Sequence, residues 1–395
     1  MRNFVFISPN FPDNYWHFCA RLRANGMNVL GVGDCPYDQL APELKGSLDE
    51  YYKVSSLENY DEVYRAVAFF IHKYGRIEWL ESNNEYWLER DARLREDFNI
   101  STGFRPADMP PVKFKSKMKE RYALAGIPVA RHHMVDDYAG CAAFIAEVGY
   151  PVIVKPDNGV GAVSTFRIDA ESDLAAFFEQ RDDNLYIMEE FIDGTVNSYD
   201  AIVNSRGEPI FETGNVTPKS LMDVVNDADN SLFYIRGHLP EDMRARGRAA
   251  VKAFGVKSRF VHFEFFRLNR DQHIGRENEV VALEVNMRPS GGISPSMMND
   301  ANGTDVYKIW ADMIAFDRTD KDCRDRLFCA FAGRRDARHY VMSREDVLRE
   351  YAGHIKEEDR VDPALATDMG DYMFLACFDT VEEVNAFYER VFEEK

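Results

Sequence analysis

One predicted strand carries an acid, an amide and an arginine at alternate positions, and side chains of these types can bind a metal ion or an anion. In Val280–Arg288, alternation places Glu284, Asn286 and Arg288 on one face. A second predicted strand carries Glu264 among four phenylalanines, where burial of an unpaired carboxylate would be costly. The opposite face of the first strand is expected to be apolar, with Val281, Leu283, Val285 and Met287.

Pairing of these two strands through the polar turn near 269–278 would set Glu264 beside Glu284. Two close carboxylates and the amide oxygen of Asn286 form a site that suits Mg²⁺, which keeps its other positions for water and phosphate. Arg288 would then contact a phosphoryl or carboxylate oxygen. The alternative is a solvated polar face on a surface hairpin, with Glu264 paired to an arginine.

A glycine-containing loop at 155–165 follows the apolar strand at 151–154. Glycines let backbone N–H groups approach phosphate oxygens, and Lys155 supplies a positive charge at the end of the strand. An ordinary hairpin turn whose lysine faces water explains the same residues equally well. The loop by itself therefore leaves both interpretations open.

The elements that must position these residues begin with an N-terminal α/β unit. Strands at 4–7 and 27–32 flank a helix at 15–25, and this βαβ pattern predicts a parallel sheet. The first turn lacks the G-x-G-x-x-G motif, so a dinucleotide-dependent dehydrogenase is disfavoured. A Pro-rich segment at 105–111 predicts a linker after this domain.

The rest of the chain alternates between predicted helices and strands. A basic helix is expected at 114–125, and a further helix at 241–254. Strands are expected at 150–155, 185–190, 198–204, 259–268 and 280–287. The tail beyond 321 carries predicted helices near 343–351 and 381–392 and a strand near 372–377.

Composition narrows the class of protein. The chain has 395 residues with 48 basic and 67 acidic side chains, a net charge of −19, which disfavours nucleic-acid and anionic-membrane partners. Its six cysteines form no C-x-x-C pair, which favours free thiols over a zinc site or a disulfide framework. The apolar stretch Phe4–Ile7 is too short for a signal peptide, and no segment is long enough for a membrane helix. A soluble, cytoplasmic protein is expected.

Four motifs occur in a fixed order along the chain. They are a lysine before the Gly-Ile-Pro stop at 126–128, the Lys155 loop, Glu-Glu-Phe-Ile-Asp-Gly at 189–194, and E-x-N-x-R-P-x-G-G from Glu284. Together they resemble the ATP-grasp superfamily, and most closely its carboxylate–amine ligases, over about 113–316. The resemblance implies an α/β fold, α+β in its core, with an N-terminal parallel-sheet domain that precedes the ATP-grasp lobes.

The domain boundaries that follow from this resemblance are 1–110 for the N-terminal domain, 111–190 and 191–320 for the two lobes, and 321–395 for a small C-terminal α/β subdomain. The lysines and the glycine loop belong to the first lobe, and the metal and acyl phosphate site to the second. The subdomain either closes the site or forms the surface of a homodimer. The sequence does not distinguish these two roles.

The resemblance also implies roles for individual residues. The metal ligands are Glu264, Glu284 and Asn286, and Arg288 and Lys155 act in catalysis by neutralising negative charge. Many relatives carry a ribose-contacting glutamate at the position of Val196, so here Asn197 takes its place or the ribose is held loosely. The implied nucleotide-binding set is Lys115, Lys155, Gly159, Gly161, Ser164, Glu189, Glu190, Phe191, Ile192 and Asn197.

The activity implied is ATP-dependent ligation of a small carboxylate to an amine through an acyl phosphate, with release of ADP and phosphate. The cofactors implied are ATP and Mg²⁺, with Mn²⁺ as a substitute for Mg²⁺. Two alternatives stay open: a carboxylase-type component that acts on bicarbonate, and a non-catalytic ATP-binding regulator. Val196 is the one hint of a regulator, and the presence of all three metal-ligand candidates argues against it.

Overall fold

The N-terminal region forms the predicted parallel sheet. The computed structural model describes residues 2–159, 164–219, 228–323 and 326–395. The first sheet has the strand order β3-β2-β1-β4, and every described pairing within it is parallel. These strands are β1 Asn3–Ile7, β2 Asn28–Gly33, β3 Glu50–Lys53 and β4 Trp79–Glu81; the helices are Trp16–Ala24, Pro42–Ser47, Tyr60–Tyr74 and Leu88–Asp97.

The Pro-rich segment after this sheet is not an extended linker. It forms a 3-10 turn, Pro106–Asp108, and a short helix, Pro110–Lys113, each beginning at a proline. Proline is favoured at the first helical position, because the missing N–H would have no partner there. The cluster of prolines therefore marks two helix starts, and the helix Lys115–Leu124 follows directly.

A small antiparallel sheet comes next in the chain. Its strand order is β5-β8-β6-β7. The helices Tyr138–Val148 and Glu171–Gln180 pack on it through a shared apolar cluster that includes Phe144 and Phe177. Its strands are β5 His132–Met134, β6 Val152–Pro156, β7 Phe166–Ile168 and β8 Tyr186–Glu190.

A large sheet joins the second half of the chain. In the described residues it has nine strands, in the order β14-β13-β9-β11-β12-β15-β17-β16, with β10 paired to β9. They are β9 Gly194–Val203, β10 Pro209–Thr213, β11 Asn215–Thr217, β12 Ser231–Ile235, β13 Arg259–Leu268, β14 Val280–Asn286, β15 Phe328–Arg334, β16 Ile355–Arg360 and β17 Tyr372–Phe378. Its helices are Glu241–Ala253, Ser294–Asn302, Val306–Phe316, Arg344–Glu350, Ala366–Met369 and Val381–Val391. The tail thus continues this sheet through β15.

One irregularity corrects the predicted pattern of β14. The register with β13 shifts so that Glu284 faces Glu264 while Ala282 faces Phe265, which leaves Leu283 as an extra residue. This bulge reverses the alternation before it. Val281 therefore lies in a different apolar cluster from Val285 and Met287, contrary to the single apolar face that the sequence predicts.

Aromatic and charged contacts join the N-terminal sheet to the rest of the molecule. Phe4 of β1 packs edge-on against Trp310 of the helix Val306–Phe316, with ring centroids 5.6 Å apart. Glu81, at the end of β4, pairs with Arg95 at 2.8 Å and with Arg259 of β13 at 2.5 Å. A helix long and apolar enough to cross a membrane is not found among the described residues.

Candidate active site

Antiparallel pairing of β13 and β14 brings the predicted metal-ligand residues together. Glu264 lies directly opposite Glu284, and His262 lies opposite Asn286. All four side chains occupy one face of the sheet, because directly opposed residues point the same way. Both glutamates are partly exposed, whereas Asn286 is buried. The donors are two carboxylates and an amide oxygen, and this set fits Mg²⁺.

A buried histidine holds one of these carboxylates in place. His262 lies between Asp200, 2.7 Å from its Nδ1, and Glu264, 2.9 Å from its Nε2. Burial would lower the pKa of His262, but Asp200 and Glu264 outweigh burial and raise this pKa to about 10. Burial would raise the pKa of Glu264, but His262 and Arg288 outweigh it and lower this pKa. At neutral pH His262 is therefore an imidazolium, held between Asp200 and Glu264.

Lys115 reaches the same face from the start of its helix. Its Nζ lies 3.7 Å from Glu284 Oε2 and donates to the carbonyl of Gly159 at 3.2 Å. Asp157 anchors this helix, since its carboxylate accepts from the N–H of Ser116 at 2.7 Å and from the Ser116 hydroxyl at 2.8 Å. Lys115, Gly159 and Glu284 are thus brought together at one point between the small and the large sheet.

Glu189 on β8 binds two buried lysines. Its carboxylate lies 2.8 Å from Lys119 and 3.0 Å from Lys155. Burial would raise the pKa of Glu189, but the two lysines outweigh burial and lower this pKa to about 2. Burial lowers the pKa of Lys119, whereas at Lys155 burial is outweighed by Glu189 and Glu284, so the pKa is raised. Lys155 is therefore a protonated lysine that pairs with Glu189 and lies close enough to Glu284 and Glu264 to feel their charge.

The residues after Glu189 are each held by a separate contact. Glu190 accepts from the N–H of Arg131 at 2.8 Å and from its Nε at 2.8 Å. The guanidinium of Arg167 lies 4.7 Å from the centre of the Phe191 ring. Ile192 is buried in an apolar cluster. Their backbone groups lie where β8 ends and β9 begins, at the junction of the two sheets.

Asn197 is not brought to this face. It pairs with Phe265 on β13, next to the pair of Ser198 and Glu264, so alternation points it to the opposite side of the sheet. Its amide donates to the carbonyl of Thr195 at 2.9 Å, and its Oδ1 accepts from Arg236 at 2.9 Å. Val196 points to the same side of β9 as Ser198. The side chain of Val196 therefore lies on the face of the sheet that carries Glu264.

Arg288 follows β14 and ends beside the predicted metal ligands. Its guanidinium donates to the carbonyl of Pro289 at 2.7 Å and lies 3.4 Å from Asn286 Oδ1. The glycine pair after it touches the N-terminal domain, where Asn14 donates to the carbonyl of Gly292 at 3.2 Å. The site is therefore bordered by the N-terminal domain as well as by the two sheets.

The predicted loop also contains Ser164 and Gly161. Ser164 is described, is exposed and has a φ of 57°. Gly161 lies outside the described residues.

Several residues of the site were absent from the sequence prediction. Lys119 follows Lys115 by one helical turn, and this spacing was a usable signal. His262 precedes Glu264 by two residues on the same strand, and its shared face was a second signal. Asp200 and Arg131 gave no signal, because their partners are brought to them only by the folded sheets.

The arrangement gathers Lys115, Lys155 and Arg288 around two carboxylates that face each other, and Lys119 joins it through Glu189. The lysines are buried, so their charges act with little screening by water. Such a set can bind a divalent cation and a polyphosphate together, because the cation joins the carboxylates to the phosphate oxygens. Arg288 adds a fork of N–H donors for a second anionic group.

Comparison with curated proteins finds short and medium-length similarities. The chain is 29% identical over 111 residues to a D-alanine–D-alanine ligase of Ectopseudomonas mendocina, covering 28% of this chain and 34% of that protein. It is 26% identical over 240 residues to an L-arginine-specific L-amino acid ligase of Bacillus subtilis, covering 58% of this chain and 56% of that protein. The chain spans between 26% and 56% of the length of the curated relatives that it matches. No protein-family model matches the chain.

Comparison with solved structures covers nearly the whole chain. An L-amino acid ligase from Bacillus licheniformis superposes with a TM-score of 0.71 at 15% identity, over 100% of this chain and 99% of that one. A phosphoribosylglycinamide synthetase from Anaerococcus prevotii gives a TM-score of 0.66 at 15% identity, over 99% and 97% of the two chains. An N5-carboxyaminoimidazole synthetase from Staphylococcus aureus, solved with ADP, gives 0.69 at 14% identity, over 98% and 97%. The chain therefore has the ATP-grasp fold, and the predicted fold class is confirmed.

Proposed function

We propose that this protein is an ATP-dependent ligase that joins a small carboxylate to an amine and forms an amide or peptide bond. The observation that carries the proposal is the pairing of Glu264 with Glu284 in front of Lys115 and Lys155. The amino acid ligases among the similar proteins support the same reaction class. Small carboxylates and amines are the corresponding substrates.

The proposed nucleotide is ATP with Mg²⁺, and Mn²⁺ is a proposed substitute. Glu264, Glu284 and Asn286 would hold the cation, which supplies charge neutralisation to the phosphate oxygens. Lys155 stays protonated because Glu189 and Glu284 raise its pKa, so it can stabilise negative charge on the transferred phosphoryl group. Lys115, next to the carbonyl of Gly159, would do the same from the loop side.

The reaction requires two displacements with no protein nucleophile. A carboxylate oxygen of the acid attacks the γ-phosphorus of ATP, the bond to the β-phosphate oxygen breaks, and ADP leaves. The amine nitrogen then attacks the acyl carbon, phosphate leaves and the nitrogen loses a proton. Arg288, beside Asn286, would neutralise the carboxylate that becomes the acyl phosphate.

The direct test uses purified protein with ATP, Mg²⁺ and pooled amino acids, followed by phosphate release and mass spectrometry of the products. We expect phosphate and an amide product that depend on both an acid and an amine. ADP release that requires bicarbonate instead would favour a carboxylase. ATP binding without turnover on any acid–amine pair would favour a regulator and overturn the proposal.

The first variant to test is Glu284→Gln. Loss of one carboxylate ligand is expected to reduce turnover at least about 100-fold, because an outright ligand loss exceeds the tenfold to hundredfold effects of supporting groups. The matched control is Glu277→Gln, which removes an exposed carboxylate from the turn before the same strand. Equal activity of both variants, with unchanged circular dichroism, would contradict the assignment of Glu284.

A further inference from the structure

A polar cavity lies apart from the residues of the proposed nucleotide site. Its volume is ≈ 230 Å³, which is large enough for one small molecule. It opens near the end of β12, between that strand, the end of β10 and the helix Glu241–Ala253. The charged and polar side chains that line it include Glu212, Arg236, His238, Arg244, Asn302 and Arg326.

Glu212, the carboxylate of this lining within the described residues, already has partners. Glu212 accepts from the Nε of Arg248 at 2.8 Å and from the hydroxyl of Tyr199 at 2.7 Å. Arg244 pairs with Glu241 at 2.7 Å and also lies 3.8 Å from Glu212. The contacts of Glu212 and Arg244 leave Arg236 and Arg326 as the two other arginines of the cavity, in a chain whose net charge is −19.

Arg236 is the partly buried one of these two arginines. Among the described residues, its guanidinium donates to Asn197 Oδ1 at 2.9 Å, while a guanidinium carries five N–H donors. Within the described ranges, no carboxylate lies within 4.0 Å of Arg236 or Arg326. Burial lowers the pKa of Arg236, so its environment leaves the cation poorly solvated. A partly buried cation of this kind gains most from an anionic partner.

We propose that this cavity binds a small anion with a phosphate or carboxylate group, held by the guanidinium groups of Arg236 and Arg326. Forked guanidinium donors match the oxygens of both groups. The site differs from the nucleotide site, because Arg236 contacts Asn197 on the side of β9 that faces away from Glu264. The proposal concerns binding alone, so it holds or fails independently of the ligase reaction.

The test is calorimetric titration of the full chain with two probes, inorganic phosphate and succinate, in separate experiments. ADP and Mg²⁺ are present at saturation, so that the nucleotide site is occupied. We expect at least one probe to bind, and we expect Arg236→Gln to weaken its binding tenfold or more, about 1.4 kcal/mol. Binding of phosphate alone or of succinate alone identifies the class of anion.

The matched control is Arg349→Gln, which removes an exposed arginine that is paired with Asp346 at 3.0 Å. This variant should bind the probe like the wild type. Arg326→Gln provides a second test if Arg236→Gln does not fold, as judged by circular dichroism. The proposal is overturned if neither probe binds at millimolar concentration, or if a folded variant at either arginine binds with unchanged affinity.

Discussion

At the scale of single residues, Glu189 pairs with two buried lysines of the site. It holds Lys119 and Lys155 in the interior, and each of the three side chains is at most one tenth exposed. Removal of such a partner leaves buried charge without compensation. Glu189 therefore serves stability as well as the predicted contact with the nucleotide.

This role predicts a pH-dependent effect of Glu189→Gln. At pH 7 the substitution should lower the free energy of unfolding by about 3 kcal/mol, because two buried lysines lose their partner. The native pKa of Glu189, about 2, lies below its ordinary value of 4.5, so its contribution is complete above pH 4.5 and is lost as pH falls towards 2. The difference between wild type and variant should therefore shrink by about 1 kcal/mol between pH 7 and pH 4.

Urea denaturation at both pH values measures this difference. Glu120→Gln is the control, since Glu120 is exposed and is paired with Lys117, an exposed lysine of the same helix. This control should change stability little at either pH. A pH-independent difference for Glu189→Gln would show that the lysines do not control the ionisation of Glu189.

At the scale of elements, the helix Lys115–Leu124 is positioned by a residue outside it. Asp157, after β6, accepts from the backbone N–H and the hydroxyl of Ser116, and its own carbonyl accepts from the N–H of Lys115. A carboxylate at a helix N-terminus satisfies free N–H groups and suits the helix dipole. The contact also joins the helix to the strand that carries Lys155.

Asp157→Ala should therefore act on both stability and nucleotide affinity. We expect a loss of about 1–2 kcal/mol in stability, the usual cost of a lost helix cap. ADP affinity, measured by calorimetry, should fall as well, because Lys115 would lose its fixed position. Asp157→Asn keeps one acceptor and should lie between wild type and Asp157→Ala. Unchanged ADP affinity in a folded Asp157→Ala protein would contradict this role.

The sequence predicts strand pairing well where the two strands are neighbours in the chain. β13 and β14 are consecutive strands joined by the connection at 269–279. The sequence patterns of the two strands were therefore enough to predict that Glu264 lies beside Glu284. The partner of His262 was not predictable, because Asp200 comes from a strand 62 residues away. The bulge at Leu283 was missed for a related reason: it has no glycine to mark it and depends on packing on both faces of the sheet.

At the scale of the whole molecule, Glu81 fastens the N-terminal sheet to the large sheet. It binds Arg95 within its own domain and Arg259 on β13, and both arginines are buried. Burial raises the pKa of the neighbouring Asp91 to about 7, and the charge of Glu81 adds to this effect. Motif spacing did not predict this junction, because its members lie far apart in the chain.

Glu81→Gln should weaken this junction. We expect a loss of about 3–5 kcal/mol, because Arg95 and Arg259 would keep buried charges without a full partner. Differential scanning calorimetry should then record a lower melting temperature. Glu58→Gln, which breaks an exposed pair with Arg90, is the control and should leave the melting temperature nearly unchanged. Equal melting temperatures for the two variants would contradict the role of Glu81.

The continuation of the large sheet into the tail limits how the protein can be dissected. β12 pairs with β15 along its whole length, from Ser231 to Ile235, and Tyr388 donates to the carbonyl of Phe233 at 2.7 Å. A fragment cut before residue 328 would expose the hydrogen-bonding edge of β12 and the apolar cluster beneath it. Open edges of this kind pair with other chains, so such a fragment should aggregate rather than report on the remaining site. The tail is best studied by point substitution in the intact chain.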